Sequence, residues 1–199
     1  MFTEAPRWNH NIQYHPVVLA AVPDGCRRAL DVGCGEGRLT RELRHSVRHV
    51  IGLDPDAASI ELARANAAPD LEYLVGDLLT YPFEPESFDL VTSVASLHHM
   101  DATAGLTRMA ALLRPGGVLA VIGLARSRLP ADLPRELAAV VGHRVHALTK
   151  PVWEHPSPKV WPPPETYTGM RRLAENLLPG VRFRRHVLWR YSLAWTKPR

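Results

Sequence analysis

The chain of 199 residues is long enough for one domain with a substantial hydrophobic core, and its formal net charge is +4. Two cysteines, Cys26 and Cys34, argue against a disulfide framework, and no apolar stretch is long enough to cross a bilayer. Residues 1–15 are polar and lack the apolar core of a signal peptide, so we expect a cytoplasmic protein without a membrane partner.

The most informative segment is a glycine-rich turn within residues 29–37 (ALDVGCGEG). An apolar run ends in Asp31, and Gly33, Gly35 and Gly37 follow at every second position before an amphipathic helix begins. Glycine is needed where a Cβ would block a tight turn or the approach of a ligand to the backbone. The pattern therefore predicts a nucleotide-type cofactor at the turn between the first strand and the first helix.

Short apolar runs alternate with helical patterns after this turn. The predicted strands are residues 50–54, 71–77, 88–94 and 113–122. Asp56 and Asp101 are placed to cap two of the helices that connect them. This alternation is typical of a parallel sheet that is covered by helices on both faces.

Two more helices and a hairpin are predicted after the fifth strand. The first helix begins at residues 132–134 (DLP), with proline in its first turn. Its apolar stripe consists of Leu133, Leu137, Val140 and Val141. A second helix covers residues 170–178, and residues 181–197 form a terminal hairpin rich in Trp and Tyr.

A proline-rich loop separates these two helices. Six prolines preclude a helix or a central strand across residues 150–164. The loop is either a stiff connector or one wall of a substrate pocket, because it carries Trp153, His155 and Trp161.

The pattern D-x-G-x-G-x-G resembles motif I of the class I S-adenosylmethionine-dependent methyltransferases, and later motifs match that family in order over residues 28–124. A dinucleotide fingerprint fits poorly, because its third small residue falls on Arg38. The resemblance implies an α/β fold: a Rossmann-like, doubly wound sheet of about seven strands, mostly parallel with an antiparallel C-terminal strand and with helices on both faces. It implies one domain made of a lid segment (1–27), a cofactor-binding core (28–124), a substrate-side helix and loop (125–165) and a terminal helix and hairpin (166–199).

The resemblance also implies S-adenosyl-L-methionine as the cofactor. Asp54 would accept the ribose hydroxyls, Asp77 would receive the adenine amine, and Asp31 would orient the methionine amine. Cys34 is most simply a small residue tolerated beneath the ligand, with a redox role as the alternative. The full predicted cofactor set is Asp31, Gly33, Cys34, Gly35, Gly37, Asp54, Pro55, Asp77, Leu78, Ser93, Val94 and Tyr14.

Two further segments carry candidates for contact with the substrate. Residues 8–15 are either a lid that brings His10 and Tyr14 to the ligands, or a helix that covers one sheet edge. His98 and His99 follow the fourth strand, where either one acts as a general base or the pair shapes the pocket. His155 is a second candidate for the base, and no metal site is predicted because the histidine pair has no partner at ligand spacing.

The methyl acceptor is predicted by class. Residues 93–96 (SVAS) lack the N/D-P-P-Y motif of enzymes that methylate nucleic-acid amines, and no nucleophilic cysteine stands where the cytosine-C5 enzymes have theirs. No RNA-binding module is appended to the predicted domain. We therefore expect a small-molecule acceptor that is methylated at oxygen, nitrogen or carbon, and no nucleic-acid partner. The sequence does not indicate an oligomeric state.

Alternative functions stay open at this point. Residues 1–100 have a net charge of −6 and residues 101–199 a net charge of +10. This asymmetry supports an anionic substrate, or an RNA or protein acceptor, unless the arginines simply line solvated faces. A non-catalytic protein that binds the cofactor or its demethylated product is a third alternative. Arg38, Asp54 and Asp77 disfavour a nicotinamide dehydrogenase.

Overall fold

A seven-stranded sheet forms the centre of the computed structural model, which describes residues 7–153 and 161–199. The strands are β1 (Arg28–Val32), β2 (His49–Asp54), β3 (Leu71–Val75), β4 (Phe88–Val94), β5 (Leu113–Gly123), β6 (Arg182–Arg185) and β7 (Tyr191–Thr196). The α-helices are α1 (His15–Leu19), α2 (Arg38–Leu43), α3 (Ala57–Ala65), α4 (Ala102–Leu112), α5 (Leu133–Thr149) and α6 (Tyr167–Leu177). Short 3₁₀ turns cover Ile12–Tyr14 and Leu97–His99. Within the described ranges, no helix has both the length and the apolar character that crossing a bilayer requires.

The strand order is β3-β2-β1-β4-β5-β7-β6. Strands β1 to β5 are parallel, and β7 runs antiparallel between β5 and β6. The predicted sheet, with its antiparallel C-terminal strand, is therefore confirmed. The chain leaves β1 toward β2 on one side and later returns to β4 on the other. The connections that follow β1 and β4 therefore lead away in opposite directions from the carboxyl ends of these two strands. Open α/β sheets bind ligands at such a switch point.

The central strands are buried on both faces, which fixes the positions of their ends. In β1, Leu30 belongs to a core cluster that includes Met109 of α4 and Met170 of α6. Its neighbour Ala29 belongs to a separate cluster with Leu43 of α2. Burial of each large side chain contributes roughly 1.5–3 kcal/mol relative to leaving it exposed. The loops at the carboxyl edge thus extend from a rigid support.

Local capping explains where two connecting helices begin. The Asp56 carboxylate accepts a hydrogen bond from the Ser59 amide at 3.1 Å at the start of α3. The Asp101 carboxylate accepts one from the Ala104 amide at 2.7 Å at the start of α4. Both predicted caps are confirmed, and each satisfies one of the amides that a helix N-terminus leaves without an internal partner.

Helix α5 turns its polar face toward the protein. An amphipathic helix usually buries its apolar stripe, yet all four predicted stripe residues are exposed, with relative accessibilities between 41% and 61%. Among the described residues of α5, Ala139 is the one that is buried. Glu136 and His143 lie one turn to either side of it and make the inward contacts. The orientation of α5 is thus set by polar contacts rather than by its apolar pattern.

Candidate active site

A cavity of about 970 Å³ lies at the carboxyl edge of the sheet. Nine of the twelve predicted cofactor residues line it, together with His98 and His99. The nine are Asp31, Gly33, Cys34, Gly35, Asp54, Pro55, Asp77, Leu78 and Val94. The glycine turn and the ends of four strands therefore meet at one cavity, as their positions after parallel strands require.

The glycine turn is held against β2 by backbone and carboxylate contacts. The Gly33 amide donates to the Leu53 carbonyl at 2.7 Å, and the Gly35 amide donates to Asp54 Oδ2 at 2.8 Å. Gly33 has a φ of +70°, and a Cβ at this position would lie 2.2 Å from the Cβ of Ser96. Glycine is thus required at residue 33 both for the backbone conformation and for the close approach of the Ser96 loop.

Asp31 is a buried carboxylate at the floor of the cavity, with 1% of its surface exposed. Its two oxygens accept hydrogen bonds from the hydroxyls of Thr40, at 2.8 Å, and Thr92, at 3.0 Å. Burial raises the pKa of Asp31 to about 6, although both hydroxyl bonds favour the charged form. A cationic group next to this carboxylate would offset the cost of burying its charge.

The raised pKa of Asp31 predicts how stability depends on pH. The folded state binds this proton more tightly than the unfolded chain, so the stability gained by protonation is complete below about pH 4 and is lost as the pH rises through 6. We expect the free energy of unfolding of the wild type, relative to that of Asp31→Asn, to fall by about 2 kcal/mol between pH 4 and pH 7. Denaturant unfolding of both proteins across this range measures the difference. A difference that does not change with pH contradicts the prediction.

Asp54 and Asp77 place two carboxylates on one wall of the cavity. They follow the neighbouring parallel strands β2 and β3, whose ends are joined by a hydrogen bond from the Gly76 amide to the Asp54 carbonyl at 3.0 Å. Asp77 Oδ1 accepts a hydrogen bond from the Leu79 amide at 2.8 Å. This bond fixes the turn that contains Leu78, whose side chain is buried. Both carboxylates retain further acceptor capacity toward the cavity.

Three predicted cofactor residues do not line the cavity. Gly37 lies at the start of α2, where its carbonyl accepts a hydrogen bond from the Tyr73 hydroxyl at 3.3 Å. Ser93 is buried and bonds to the hydroxyl of Ser96, which itself lines the cavity. The Tyr14 hydroxyl donates to the Val187 carbonyl, so this side chain packs on the β6–β7 hairpin instead of facing a ligand.

Comparison with known proteins identifies the family. A model of the methyltransferase domain matches residues 29–117. An uncharacterized methyltransferase of Mycobacterium tuberculosis strain H37Rv is 36% identical over 193 residues, which cover 96% of this chain and 98% of the relative. The chain belongs to the methyltransferase family, and its Rossmann-like fold matches solved structures of methyltransferases.

One sequence relative and one solved structure of similar fold have names that specify a substrate. The methyltransferase is 37% identical over 116 residues to 2-phytyl-1,4-naphtoquinone methyltransferase of Thermosynechococcus vestitus, a match that covers 55% of this chain and 51% of that one. It also shares its fold with Haemonchus contortus phosphoethanolamine N-methyltransferase 2, solved with phosphomonomethylethanolamine and S-adenosylhomocysteine. The TM-score is 0.66 at 15% identity, covering 94% of this chain and 53% of that one.

The far side of the methyltransferase cavity is built by segments from both ends of the chain. Asn11 and His10 come from the N-terminal segment, His143 from α5, and Trp189 and Arg190 from the β6–β7 loop. His10 Nε2 lies 2.9 Å from His143 Nδ1, and the Trp189 indole donates to Glu136 Oε2 at 2.7 Å. Burial lowers the pKa of His10 to about 4, so its ring is neutral at physiological pH.

Part of this wall was predicted from the sequence. His10 was among the predicted lid residues, and Trp153 and Trp161 of the proline-rich loop also line the cavity. Trp8 pairs with this loop, accepting a hydrogen bond from the Trp153 amide at its carbonyl at 2.8 Å. His155, the second candidate for the base, lies outside the described residues.

The remaining residues of the wall were missed. His143, Trp189 and Arg190 lie far apart in sequence, and no motif connects them. A local signal does exist at Arg190, a charged residue that stands within the aromatic run of residues 188–193 (LWRYSL). A charge at the start of a buried strand is exceptional enough to indicate a special role.

His98 lines the cavity and carries a nitrogen without a hydrogen-bond partner in the described residues. Within the described structure, its buried Nδ1 has no hydrogen-bond partner. Burial lowers the pKa of His98 to about 4, with smaller contributions from the charges of His99 and Arg190. The rings of His98 and His99 lie 4.1 Å apart, and His99 is the exposed member of the pair. Both histidines line the cavity, and His98 is the one with a buried nitrogen that has no hydrogen-bond partner among the described residues.

Backbone strain is concentrated beside the cavity. Ala95 follows β4 with a φ of +54°, and Leu188 and Trp189 have φ values of +59° and +57°. Side chains with a Cβ rarely adopt this region, and such conformations persist where the surrounding structure enforces them. Ala95 is fixed by a hydrogen bond of 2.7 Å from its amide to the Ile122 carbonyl. The strained positions hold the loops that present His98 and Arg190.

Cys34 has the chemistry of a small packing residue. Burial raises the pKa of its thiol well above the ordinary value, so the nucleophilic thiolate is suppressed. Both cysteines are free thiols in the structure. In the described ranges, no three His, Cys, Asp or Glu side chains are grouped so that they could hold a metal ion.

Proposed function

We propose that the protein transfers a methyl group from S-adenosylmethionine to a small-molecule acceptor. The observation that carries this proposal is the single cavity, in which the glycine turn and its carboxylates are continuous with a wall of aromatic and histidine side chains. The first half has the features that suit the cofactor, and the second half has those that suit an apolar acceptor with a few polar groups.

The cofactor half offers a donor and acceptor set that fits S-adenosylmethionine. Asp54 would hold the ribose hydroxyls, Asp77 the adenine amine, and Asp31 the methionine amine. The raised pKa of Asp31 supports this assignment, because a bound ammonium group would compensate its buried charge. Val94 lines the cavity and Ser93 does not, so Val94 is the better source of the second contact to the amine. Tyr14 and Gly37 lie outside the proposed set.

The protein contributes to the reaction mainly by holding the acceptor in place. When bound, S-adenosylmethionine supplies an electrophilic methyl group on a sulfonium. Fixing a nucleophile in line with such a group is worth roughly 7–11 kcal/mol of the barrier. Trp8 joins the N-terminal segment to residues 151–153 through hydrogen bonds with Pro151 and Trp153, at 2.9 and 2.8 Å, and Trp8 and Trp153 both line the cavity. A less polar site favours the reaction because positive charge is neutralised at the transition state.

The residues that line the cavity support a small acceptor over a macromolecular one. The N-terminal segment and the proline-rich loop both contribute to its lining, and His10 contacts His143 of α5 across it. A concave site with an apolar and aromatic lining and a few convergent polar groups is typical of small-molecule binding. The naphtoquinone methyltransferase relative is consistent with this assignment.

An acceptor panel tests the proposal directly. We would measure S-adenosylhomocysteine formation with small phenols, quinols, amines and carboxylic acids, and in parallel with total RNA and denatured protein. Turnover of a member of the small-molecule panel is the expected result. Turnover with RNA or protein and with no small molecule would contradict the proposed acceptor class.

We expect His98→Asn to reduce turnover about 100-fold when the acceptor group is a hydroxyl. We assign the base to His98 because its ring lines the cavity and its Nδ1 has no hydrogen-bond partner among the described residues, whereas His99 is exposed. His99→Asn is the matched control, and we expect it to retain turnover within about threefold of the wild type. Initial rates at saturating cofactor give the comparison. Equal losses in the two variants would argue against His98 as the base.

A further inference from the structure

Arg190 is a buried cation that faces the cavity. It is 7% exposed, lies between the β6–β7 turn and β7, and contributes to the cavity lining. Its Nε and Nη2 donate to Asn11 Oδ1 at 3.1 and 2.7 Å, and its Nη1 donates to the carbonyls of Leu188 and Trp189 at 3.3 Å each. Every one of these partners is neutral.

The positive charge of Arg190 has no counter-ion among the residues that the structure describes. Arg185, in the same hairpin, shows the usual arrangement: its guanidinium pairs with the Asp132 carboxylate at 2.6 Å. A buried charge without a partner is strongly unfavourable, and burial lowers the pKa of Arg190 to about 10. The protein therefore maintains a concentrated positive potential at this point of the cavity.

The groups around Arg190 do not compensate this charge. Its coulombic effect lowers the pKa values of His10 and His98, which places both imidazoles within its field. Tyr14 and Tyr167 also lie within that field, and burial raises the pKa of each phenol, so both are neutral. Asn11 accepts two bonds from the guanidinium, and at least one Nη2 hydrogen has no partner within residues 7–153 and 161–199. An anion is the missing component.

We propose that Arg190 binds a carboxylate or phosphate group of the methyl acceptor. This inference rests on the proposed function and narrows its substrate class to small molecules with an apolar or aromatic body and one anionic group. Trp189 and the other cavity-lining tryptophans supply the apolar wall, and Arg190 supplies the positive charge and the remaining Nη2 hydrogen that recognise the anion. The nucleophilic group of the same molecule would then lie toward His98.

The methionine part of the cofactor also has a carboxylate, but the positions of Asp31 and Arg190 in the sheet separate that carboxylate from Arg190. Asp31, the proposed partner of the methionine amine, is in β1, and Arg190 directly precedes β7. Three strand spacings separate these strands, which amounts to roughly 14 Å at about 4.8 Å each. The amine and carboxylate of methionine are on one carbon, so this separation favours the acceptor over the cofactor carboxylate as the partner of Arg190.

The test uses wild-type protein saturated with S-adenosylhomocysteine and two probes of matched shape, benzoate and benzamide. Calorimetric titration is expected to show that benzoate binds at least about tenfold more tightly than benzamide, and that inorganic phosphate competes with it. Arg190→Gln should remove this preference and leave the affinity for S-adenosylhomocysteine within about twofold. Arg185→Gln is the matched control, since Arg185 does not line the cavity, and it should keep the preference.

Each outcome decides between the sources of the anion. Equal affinities for benzoate and benzamide in the wild type overturn the proposal, and this measurement does not depend on any variant folding. A loss of S-adenosylhomocysteine binding in a folded Arg190→Gln protein would assign Arg190 to the cofactor carboxylate and also overturn it. If the wild type does not bind S-adenosylhomocysteine at all, the proposed function itself fails, which is distinguishable from both.

A second readout in the wild type checks the same inference. Benzoate bound at Arg190 would neutralise the charge that lowers the pKa values of His10 and His98. NMR titration of the imidazole C–H signals should therefore show both pKa values rising when benzoate saturates the complex, and no rise with benzamide. Histidine titrations that do not respond to benzoate would contradict binding at this position.

Discussion

Replacing Asp54 by alanine is expected to weaken the binding of S-adenosylmethionine about 1000-fold. The Asp54 carboxylate faces the cavity and also accepts the amides of Gly35 and Asp56, at 2.8 and 2.9 Å. The substitution removes the proposed acceptor for two ribose hydroxyls, each charge-assisted bond being worth roughly 1.5–3 kcal/mol. It also removes the carboxylate contact between the glycine turn and β2, while the bond from the Gly33 amide to the Leu53 carbonyl remains. Equilibrium dialysis with labelled cofactor measures the dissociation constant.

Asp70→Ala provides the matched control for this prediction. Asp70 is a carboxylate that pairs with Arg44 at 3.2 Å and does not line the cavity. We expect this variant to bind the cofactor like the wild type, because a surface ion pair contributes little to stability. An Asp54→Ala protein that is folded and retains cofactor affinity within tenfold would show that the cofactor does not bind at the end of β2.

The second large effect is expected at Gly33. Gly33→Ala should lower the free energy of unfolding by about 4 kcal/mol and abolish cofactor binding. The positive φ of +70° accounts for roughly 1–2 kcal/mol, and overpacking against Ser96, 2.2 Å from the new Cβ, accounts for most of the rest. Ser96 cannot move away freely, since its hydroxyl donates to the Val32 carbonyl at 2.9 Å. Denaturant unfolding gives the stability.

A substitution at Gly25 separates the cost of the positive φ from the cost of overpacking. Its φ of +71° is almost that of Gly33, but no atom lies within 4 Å of a Cβ built there. Gly25→Ala should therefore cost about 1 kcal/mol and leave cofactor binding intact. If both alanine variants were destabilised equally, the close approach of the Ser96 loop would not be the reason for glycine at residue 33.

Features that depend on neighbouring residues in the sequence were predicted well. The turn after β1 is defined by glycine conformations and by a strand and helix that follow one another directly. The caps at Asp56 and Asp101 act on amides three residues away. The strand order follows from the family's order of motifs and from the rules for parallel sheets. These features depend little on residues that are distant in the sequence.

Side-chain directions that distant contacts decide were not predicted. Tyr14 was expected at the cofactor, but its hydroxyl bonds to Val187, 173 residues away. The apolar stripe of α5 was visible in the sequence, but Glu136 faces inward because Ser127 and Trp189 donate to it. Periodicity shows that a helix has two faces, and tertiary contacts decide which one is buried.

The arginines of the terminal hairpin illustrate the same limit. Arg182, Arg184 and Arg185 lie in β6, which alternates between exposed and half-buried residues. Arg190 is eight residues from Arg182, yet it is buried because Asn11, 179 residues away, accepts its hydrogen bonds. Net charge could indicate an anionic substrate, but it could not single out the arginine that faces the cavity.

The most direct test of the proposed function is calorimetric titration of the wild-type protein with S-adenosylmethionine, S-adenosylhomocysteine and NAD. We expect both adenosyl ligands to bind at one site per chain with micromolar dissociation constants, and NAD not to bind. Binding of NAD in their place would contradict the assignment of the glycine turn and its two carboxylates. The absence of binding by both adenosyl ligands would contradict the proposal that this cavity holds the methyl donor.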